Sequence, residues 1–142
     1  MSTRYTGAGV PGRRRVRGFT LIELMIAVAI VAILASIANA SYQGFVIKSR
    51  RSAAAACLQE RAQFMERYYT THLSYAGAPA PAQCGPDLSP FYELKLEGVT
   101  TKTFTLLATP TDRQKDAKCG TLSITSTGAR GSSANANAAE CW

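Results

Sequence analysis

A long apolar run extends from Phe19 to Ala38 and contains one charged residue, Glu23. A helix rises about 1.5 Å per residue, so twenty residues reach roughly 30 Å, the thickness of the hydrocarbon core of a bilayer. Positive charge before such a run favours the cytoplasmic side, and the run is preceded by five arginines: Arg4, Arg13, Arg14, Arg15 and Arg17. The sequence therefore predicts a membrane-spanning helix followed by a domain outside the cytoplasm.

Three interpretations of this run compete. A secretory signal peptide would have its apolar region at 24–37 and an A-x-A cleavage site at 38–40. A plain membrane anchor is the second interpretation, and both leave Glu23 without a role, although an acid near a bilayer indicates a function. Cleavage between Gly18 and Phe19 would create an α-amino cation four residues before Glu23, with which the carboxylate can pair. We favour this third interpretation because it accounts for the acid.

The order of basic leader, G-F-T-L-I-E and apolar run resembles the class III signal of type IV pilins. The resemblance implies that a prepilin peptidase cuts after Gly18 and N-methylates Phe19, and that Glu23 guides docking between subunits. The implied partners are other pilins, this peptidase, the membrane and the inner-membrane pilus assembly machinery. The implied location is the bacterial inner membrane, with the C-terminus periplasmic, and then a surface filament.

This interpretation divides the chain into a leader (1–18), a transmembrane or filament-core helix (19–40) and a globular head (41–142). The formal net charge of +7 depends on the leader, because removing its five arginines leaves 11 basic and 9 acidic residues. Composition therefore gives no support for nucleic-acid binding by the head.

The helix is expected to continue over 41–75, because Ser41 to Ser74 contains no proline. Helical spacing places five residues on one face that the head's sheet should cover: Ala54, Leu58, Ala62, Met65 and Tyr69. Charged residues mostly occupy the other faces. Among them Lys48, Arg50 and Arg51 suit either anionic lipid headgroups or a solvated surface.

Alanine occupies Ala32 and Ala40, where many type IV pilins that resemble this chain have a glycine and a proline. Proline and glycine destabilise a helix, so in those relatives the segment between the two positions melts easily. The sequence therefore predicts a continuous helix from about Phe19 to Ser74 without a sharp kink at Ala40. By extension, we expect this subunit to unwind less in a filament than proline-bearing neighbours.

Alternating apolar residues after a loop at 76–90 predict strands with one buried face in a sheet over 91–127. The alternating sets are Tyr92, Leu94 and Leu96, then Phe104, Leu106 and Ala108, then Leu122 and Ile124. The fold class is therefore α+β, a long N-terminal helix packed against an antiparallel meander. The following segment, 128–140, is too small and polar to bury a core.

Four cysteines outside the cytoplasm predict disulfides: Cys57, Cys84, Cys119 and Cys141. Zinc is disfavoured because there is no C-x-x-C pair and His72 is the only histidine, so we predict no metal site. Of the three possible pairings, 57–84 with 119–141 closes two local loops. The second loop would hold the polar segment in place.

The region from Thr109 to Trp142 resembles the C-terminal region of PilE/ComP-like minor pilins, in which paired cysteines delimit a D-region loop. Here that loop would be 119–141. Cys57 and Cys84 lie outside this pattern, so their pairing follows from parity alone.

The sequence thus favours a structural subunit of a type IV pilus, a minor pilin. It contains no catalytic motif, so no enzymatic activity and no cofactor are predicted. One alternative is a pilus-borne DNA receptor, since ComP-like relatives bind DNA, and its candidate surface is Arg113, Lys115, Lys118 and Arg130. Acidic neighbours dilute that surface, namely Asp112, Asp116 and Glu140. The other alternative is a type II secretion pseudopilin, for which the C-terminal cysteine pair is the wrong signature.

Overall fold

The computed structural model describes residues 18–134 and 137–142. Helix α1 (Leu21–His72) is followed by four strands, β1 (Tyr92–Glu97), β2 (Thr105–Pro110), β3 (Leu122–Thr125) and β4 (Arg130–Ser132), and by a 3-10 helix (Ala138–Glu140). The chain divides into two compact units between Ala38 and Asn39. A long helix and an antiparallel sheet confirm the predicted α+β class.

Helix α1 begins where Thr20 caps its first turn. The Thr20 hydroxyl oxygen accepts the backbone N–H of Glu23 at 3.3 Å, as side chains at helix starts commonly do. The helix ends at His72, and Leu73 takes a positive φ of 53°, which is typical of a residue just past a helix end. Each end lies two residues inside the predicted range. Ala32 and Ala40 both fall within α1, and the absence of a kink at Ala40 stays a prediction.

The predicted apolar stripe of α1 faces the core of the second unit. Ala54, Leu58 and Met65 are fully buried, and Ala62 and Tyr69 pack against the same cluster. The largest buried side chains from the strands and the loops beside them are Tyr92, Phe104, Leu106 and Leu122. The prediction that the sheet covers this stripe is confirmed.

The strands pair in sequence order, β1-β2-β3-β4, and all pairs are antiparallel. Leu94 lies opposite Ala108 and Leu106 lies opposite Ile124, so the alternating apolar positions share the buried face. The sheet extends beyond the expected range because β4 pairs with β3, with Gly131 opposite Ser123. Backbone pairing, rather than apolar side chains, accounts for this last strand.

Two disulfides join parts of the second unit, Cys57–Cys84 and Cys119–Cys141, the pairing expected from the sequence. The C-terminal segment is held further by a hydrogen bond from Ser133 N–H to the Thr121 carbonyl at 2.9 Å. Gly120 has a φ of +62°, and a Cβ there would collide with the Ser133 hydroxyl. A glycine is therefore required where the segment passes the Cys119 turn.

Candidate functional site

The predicted processing site lies just before α1. Phe19 is 78% exposed, and Glu23 lies in the first helical turn, where a carboxylate interacts favourably with the helix dipole. Within residues 18–134 and 137–142, no salt bridge involves Glu23. Its charge is therefore open to a cation from outside this part of the chain.

The large apolar side chains on all sides of α1 between Leu21 and Ile37 are exposed, each by at least half of its surface. The mean hydropathy of the most apolar stretch of α1 is 2.7, and this is the one helix in the described part of the chain that is long and apolar enough to cross a membrane. Exposure of this extent marks a surface that binds lipid or another protein.

A buried ion pair connects α1 to the segment between β2 and β3. Arg51 Nη1 donates to both Asp116 oxygens, at 2.9 and 3.0 Å, and the side chains are 8% and 1% exposed. The expectation that Arg51 lies on a solvated or lipid-facing surface was wrong. Its guanidinium turns inward because Asp116 supplies the opposite charge that burial requires.

Two polar side chains complete this buried site. Tyr92 donates its hydroxyl to Asp116 Oδ2 at 3.2 Å, and the Gln114 amide donates to the Ile47 carbonyl at 3.0 Å. Burial raises the pKa of Tyr92 to about 12, and the Asp116 carboxylate adds to this rise. Because Cys119 N–H also donates to Asp116 at 3.3 Å, the ion pair fixes the start of the 119–141 loop relative to α1.

The structure divides the four candidate DNA-binding residues, all of which are exposed. Arg113 and Lys115 line one groove together with Arg50 of α1. Lys115 and Lys118 line a second groove. The Lys118 ammonium also forms an ion pair with Glu140, with 3.2 Å between Nζ and Oε2. The sequence did not assign Arg50 to this surface, because the two segments are far apart in the chain.

Arg130 lines neither of these grooves. Its guanidinium lies over the Trp142 ring at 5.2 Å, a cation–π geometry, and both residues line a separate groove beside the 3-10 helix. The Trp142 indole N–H donates to the Gly131 carbonyl at 3.0 Å. The predicted four-residue surface is therefore distributed over several grooves.

Two family models match this chain. A family model described as type IV minor pilin ComP, DNA uptake sequence receptor, matches residues 40–123. A model of the prokaryotic N-terminal methylation motif matches residues 13–39. The two matches adjoin and together cover the leader's end, α1 and most of the sheet.

Individual relatives are fimbrial proteins. The type IV major pilin protein PilE1 of Neisseria gonorrhoeae is 36% identical over 96 residues, covering 61% of this chain and 52% of that protein. A fimbrial protein of Neisseria meningitidis serogroup B is 39% identical over 61 residues, covering 43% of this chain and 36% of that protein. The aligned region thus spans about a third to a half of these two relatives.

Solved structures agree in fold. A type IV pilin from Shewanella oneidensis has a TM-score of 0.54 and 32% identity, covering 68% of this chain and 97% of that one. The Neisseria meningitidis non-core minor pilin PilV has a TM-score of 0.52 and 23% identity, covering 63% of this chain and 89% of that one, a likeness of fold alone. Because the ComP model covers more than half of the sequence and the Shewanella pilin is matched over nearly its whole length, this chain belongs to the ComP family of type IV minor pilins.

Proposed function

We propose that this protein is a minor subunit of a type IV pilus, held in the inner membrane before assembly and displayed on the cell surface afterwards. The observation that carries the proposal is the exposed apolar surface of α1 from Leu21 to Ile37. Such a surface must be covered, first by lipid and then by the helices of neighbouring pilins. The match to a family of type IV minor pilins supports this proposal.

Processing would prepare the helix for assembly. A prepilin peptidase would cut between Gly18 and Phe19 and methylate the new amine, which the methylation motif over 13–39 supports. The amine and the Glu23 carboxylate of a neighbouring subunit would then pair in a low-dielectric filament core. The leader's arginines favour a cytoplasmic N-terminus, so the head would be periplasmic and within reach of the inner-membrane assembly machinery.

The test separates processing from incorporation. The mature protein should have the mass of a chain that starts at Phe19 with one added methyl group, and Gly18→Val should leave an uncleaved, membrane-bound precursor. Glu23→Gln should be cleaved and inserted normally yet be depleted from sheared, purified pili, because a buried amine without its partner is costly. Glu60→Gln, at an exposed position of α1, is the matched control and should assemble normally.

One result would overturn the proposal, and a second would remove the role of Glu23 from it. A mature N-terminus at Ser41 would favour the signal-peptide interpretation. Normal incorporation of Glu23→Gln would mean that the carboxylate makes no assembly contact.

DNA binding by the head is a second candidate function. The family model's description, a DNA uptake sequence receptor, favours it, and Arg113, Lys115, Lys118 and Arg130 would supply exposed cations for phosphate groups. The Lys118–Glu140 ion pair and the adjacent Asp112 weaken the field of this surface. Any DNA contact would therefore depend most on Arg113, Lys115 and Arg130.

A gel shift with the full chain in detergent tests this candidate across a range of salt concentrations. Binding should weaken steeply as salt rises, and each phosphate contact removed should reduce the salt slope by about one. Arg113→Ser and Arg130→Ser are the test variants, and Arg67→Ser, another exposed arginine, is the control. Equal binding by all three variants would exclude these residues as DNA contacts.

We further propose that the head acts by binding and not by catalysis. The single histidine, His72, is exposed, and its ring stacks on Tyr68 with 4.0 Å between the ring centres. Its Nδ1 is engaged by the Thr71 hydroxyl at 2.7 Å. These contacts are those of a surface residue at a helix end and suggest no general base.

A further inference from the structure

A groove of about 510 Å³ lies in the second unit, between the part of α1 that follows the apolar run and two segments of the head. The helix contributes Tyr42, Val46 and Arg50. The segments that follow α1 contribute Phe91, next to β1, and residues after β2 that include Arg113 and Lys115. No step of the pilin assembly described above uses this groove.

The charge of the groove is predominantly positive. Arg50, Arg113 and Lys115 line it, and Asp112 is the one acidic residue in its lining. The adjoining groove adds Lys48, whereas Arg51 and Asp116 there neutralise each other in their ion pair. Both grooves share Lys115, so the cations form one continuous surface.

The Arg50 guanidinium is already positioned for an anion. It lies over the Phe91 ring at 3.5 Å from the ring centre. A guanidinium stacked on an aromatic face keeps its N–H donors in its own plane, where a phosphate can accept two of them. Stacking also orders the side chain beforehand, which lowers the entropic cost of binding.

Apart from Gln43, the remaining lining residues are apolar or aromatic, and those on α1 closely follow the membrane-length apolar run in the sequence. Tyr42 comes two residues after Ala40, and the side chains of Tyr42 and Phe45 are 66% and 69% exposed. Aromatic and basic residues directly after a hydrophobic span are typical of the interface between membrane and water.

We propose that this groove binds the headgroup of an anionic phospholipid while the subunit resides in the membrane. Arg50, Arg113 and Lys115 would hold the phosphate, and Tyr42 and Val46 would contact the glycerol and the first methylene groups. Lipid binding in this groove rests on the proposed residence of the subunit in the membrane before assembly, and it is independent of any later binding of DNA by the head. It also gives Arg50 a role that a solvated helix face would not.

A lipid headgroup fits this groove better than a nucleic acid does. Duplex DNA presents its phosphates along an extended surface and gains little from an apolar floor. A phospholipid combines one anionic group with an apolar body, which matches cations beside Tyr42, Val46 and Phe91. Arg130, the candidate DNA contact with an aromatic partner, lines neither part of this surface.

Native mass spectrometry of the full chain tests the proposal. The protein is released from nanodiscs made of an equimolar mixture of phosphatidylcholine and phosphatidylglycerol, and the retained lipids are counted by type. Retained phosphatidylglycerol should be enriched several-fold, since each cation near an anionic membrane surface strengthens the attraction roughly fivefold. The double variant R113S/K115S should lose most of this enrichment and keep only the part that the remaining cations, including the leader's arginines, contribute.

The matched control is R67S/K102S, which removes one arginine and one lysine from exposed positions elsewhere in the head. It should retain the full enrichment. The leader's arginines contribute equally in all three proteins, so the comparison isolates the groove. Unchanged fluorescence of the single tryptophan, Trp142, in each variant verifies that the head is folded.

Three outcomes would overturn the proposal. The first is that the unaltered chain retains both lipids equally. The second is that both double variants lose enrichment to the same extent. The third is that R113S/K115S weakens binding of added duplex DNA but leaves lipid retention unchanged. Enrichment that is lost only in R113S/K115S supports it.

Discussion

The two parts of α1, before and after Ala38, place the same kind of side chain in different surroundings. Leu34 in the first part is 62% exposed, whereas Leu58 in the second part is fully buried. The sheet supplies a partner for the second part within the chain. The large apolar side chains of the first part stay exposed, which is typical of a surface that binds lipid or another protein.

Charged residues repeat this contrast. Glu23 has no salt bridge in the described part of the chain, whereas Arg51 is paired at 2.9 Å with Asp116. Interactions completed inside the chain stabilise the head, whereas under the proposed function the carboxylate of Glu23 is left for assembly. We therefore expect substitutions in the second part to change the stability of the head and substitutions in the first part to leave it unchanged.

The largest effect is expected for Asp116→Ala, which would leave the Arg51 guanidinium buried without its partner. Breaking a buried ion pair in this way costs about 3–5 kcal/mol. Urea unfolding of the full chain in detergent, followed by Trp142 fluorescence, measures the loss. Asp112→Ala, at an exposed position four residues earlier, is the control and should stay within about 0.5 kcal/mol of the unaltered chain.

A double variant separates the contribution of the ion pair from that of the other hydrogen bonds to Asp116. Arg51→Met combined with Asp116→Leu removes both charges and should recover much of the stability that Asp116→Ala loses. Failure to recover would mean that the hydrogen bonds from Tyr92 and Cys119 to Asp116, and not the ion pair, hold the segment.

Leucine truncation on the same helix tests the contrast directly. Leu58→Ala should lower the free energy of unfolding of the head by about 2–5 kcal/mol, because it opens a cavity in a packed core. Leu34→Ala removes the same atoms from an exposed position and should not change that unfolding. If Leu34→Ala destabilised the head to a similar extent, the two parts of α1 would not be independent.

The periodic spacing of apolar residues and the even number of cysteines made much of this fold predictable from the sequence. Spacing on α1 identified Leu58 and Met65 as buried, and alternation identified Tyr92, Leu94 and Leu106. These patterns work because a helix or a strand repeats its own geometry over successive residues. The even number of cysteines indicated two disulfides for the same region.

Contacts between distant segments were not predictable in this way. Arg51 and Asp116 are 65 residues apart, and neither position breaks a local pattern. Strand β4 escaped prediction because Arg130, Gly131 and Ser132 have no apolar alternation, and their pairing depends on β3. The groove that joins Arg50 to Arg113 and Lys115 likewise exists only after the chain has folded.

The disulfide Cys119–Cys141 should contribute about 3 kcal/mol by restricting the unfolded chain. Replacing both cysteines by serine should lower the stability of the head by about this amount and should also release Trp142, whose N–H is bonded to Gly131. A red shift of tryptophan fluorescence before unfolding would report that release. The corresponding replacement of Cys57 and Cys84 is the control, because it leaves the C-terminal segment attached. Membrane insertion, which depends on the first part of α1, should be the same for both variants.

The smallest effect concerns the buried hydroxyl of Tyr92. Near neutral pH, Tyr92→Phe should cost only about 1 kcal/mol, the typical value of one hydrogen bond, here the one donated to Asp116. The difference in stability between the unaltered chain and Tyr92→Phe should change at alkaline pH, because burial raises the pKa of Tyr92 from 10.0 to about 12. A raised pKa means that the folded state favours the neutral phenol, so this contribution is fully present below pH 10 and is lost as the pH rises towards 12.

Tyr75 behaves in the same direction, since burial and then its hydrogen bond to Glu66 raise its pKa to about 12. The unaltered chain should therefore lose head stability between about pH 10 and pH 12, Tyr92→Phe should lose less over that interval, and the double variant with Tyr75→Phe least of all. Thermal unfolding of the full chain at a series of pH values measures this. The first part of α1 contains no tyrosine between Phe19 and Ala38, so retention in detergent micelles or bilayers should not follow this pH dependence. A parallel loss of membrane retention and head stability would contradict the separation of the two parts, because it would require the apolar segment to depend on the packing of the head.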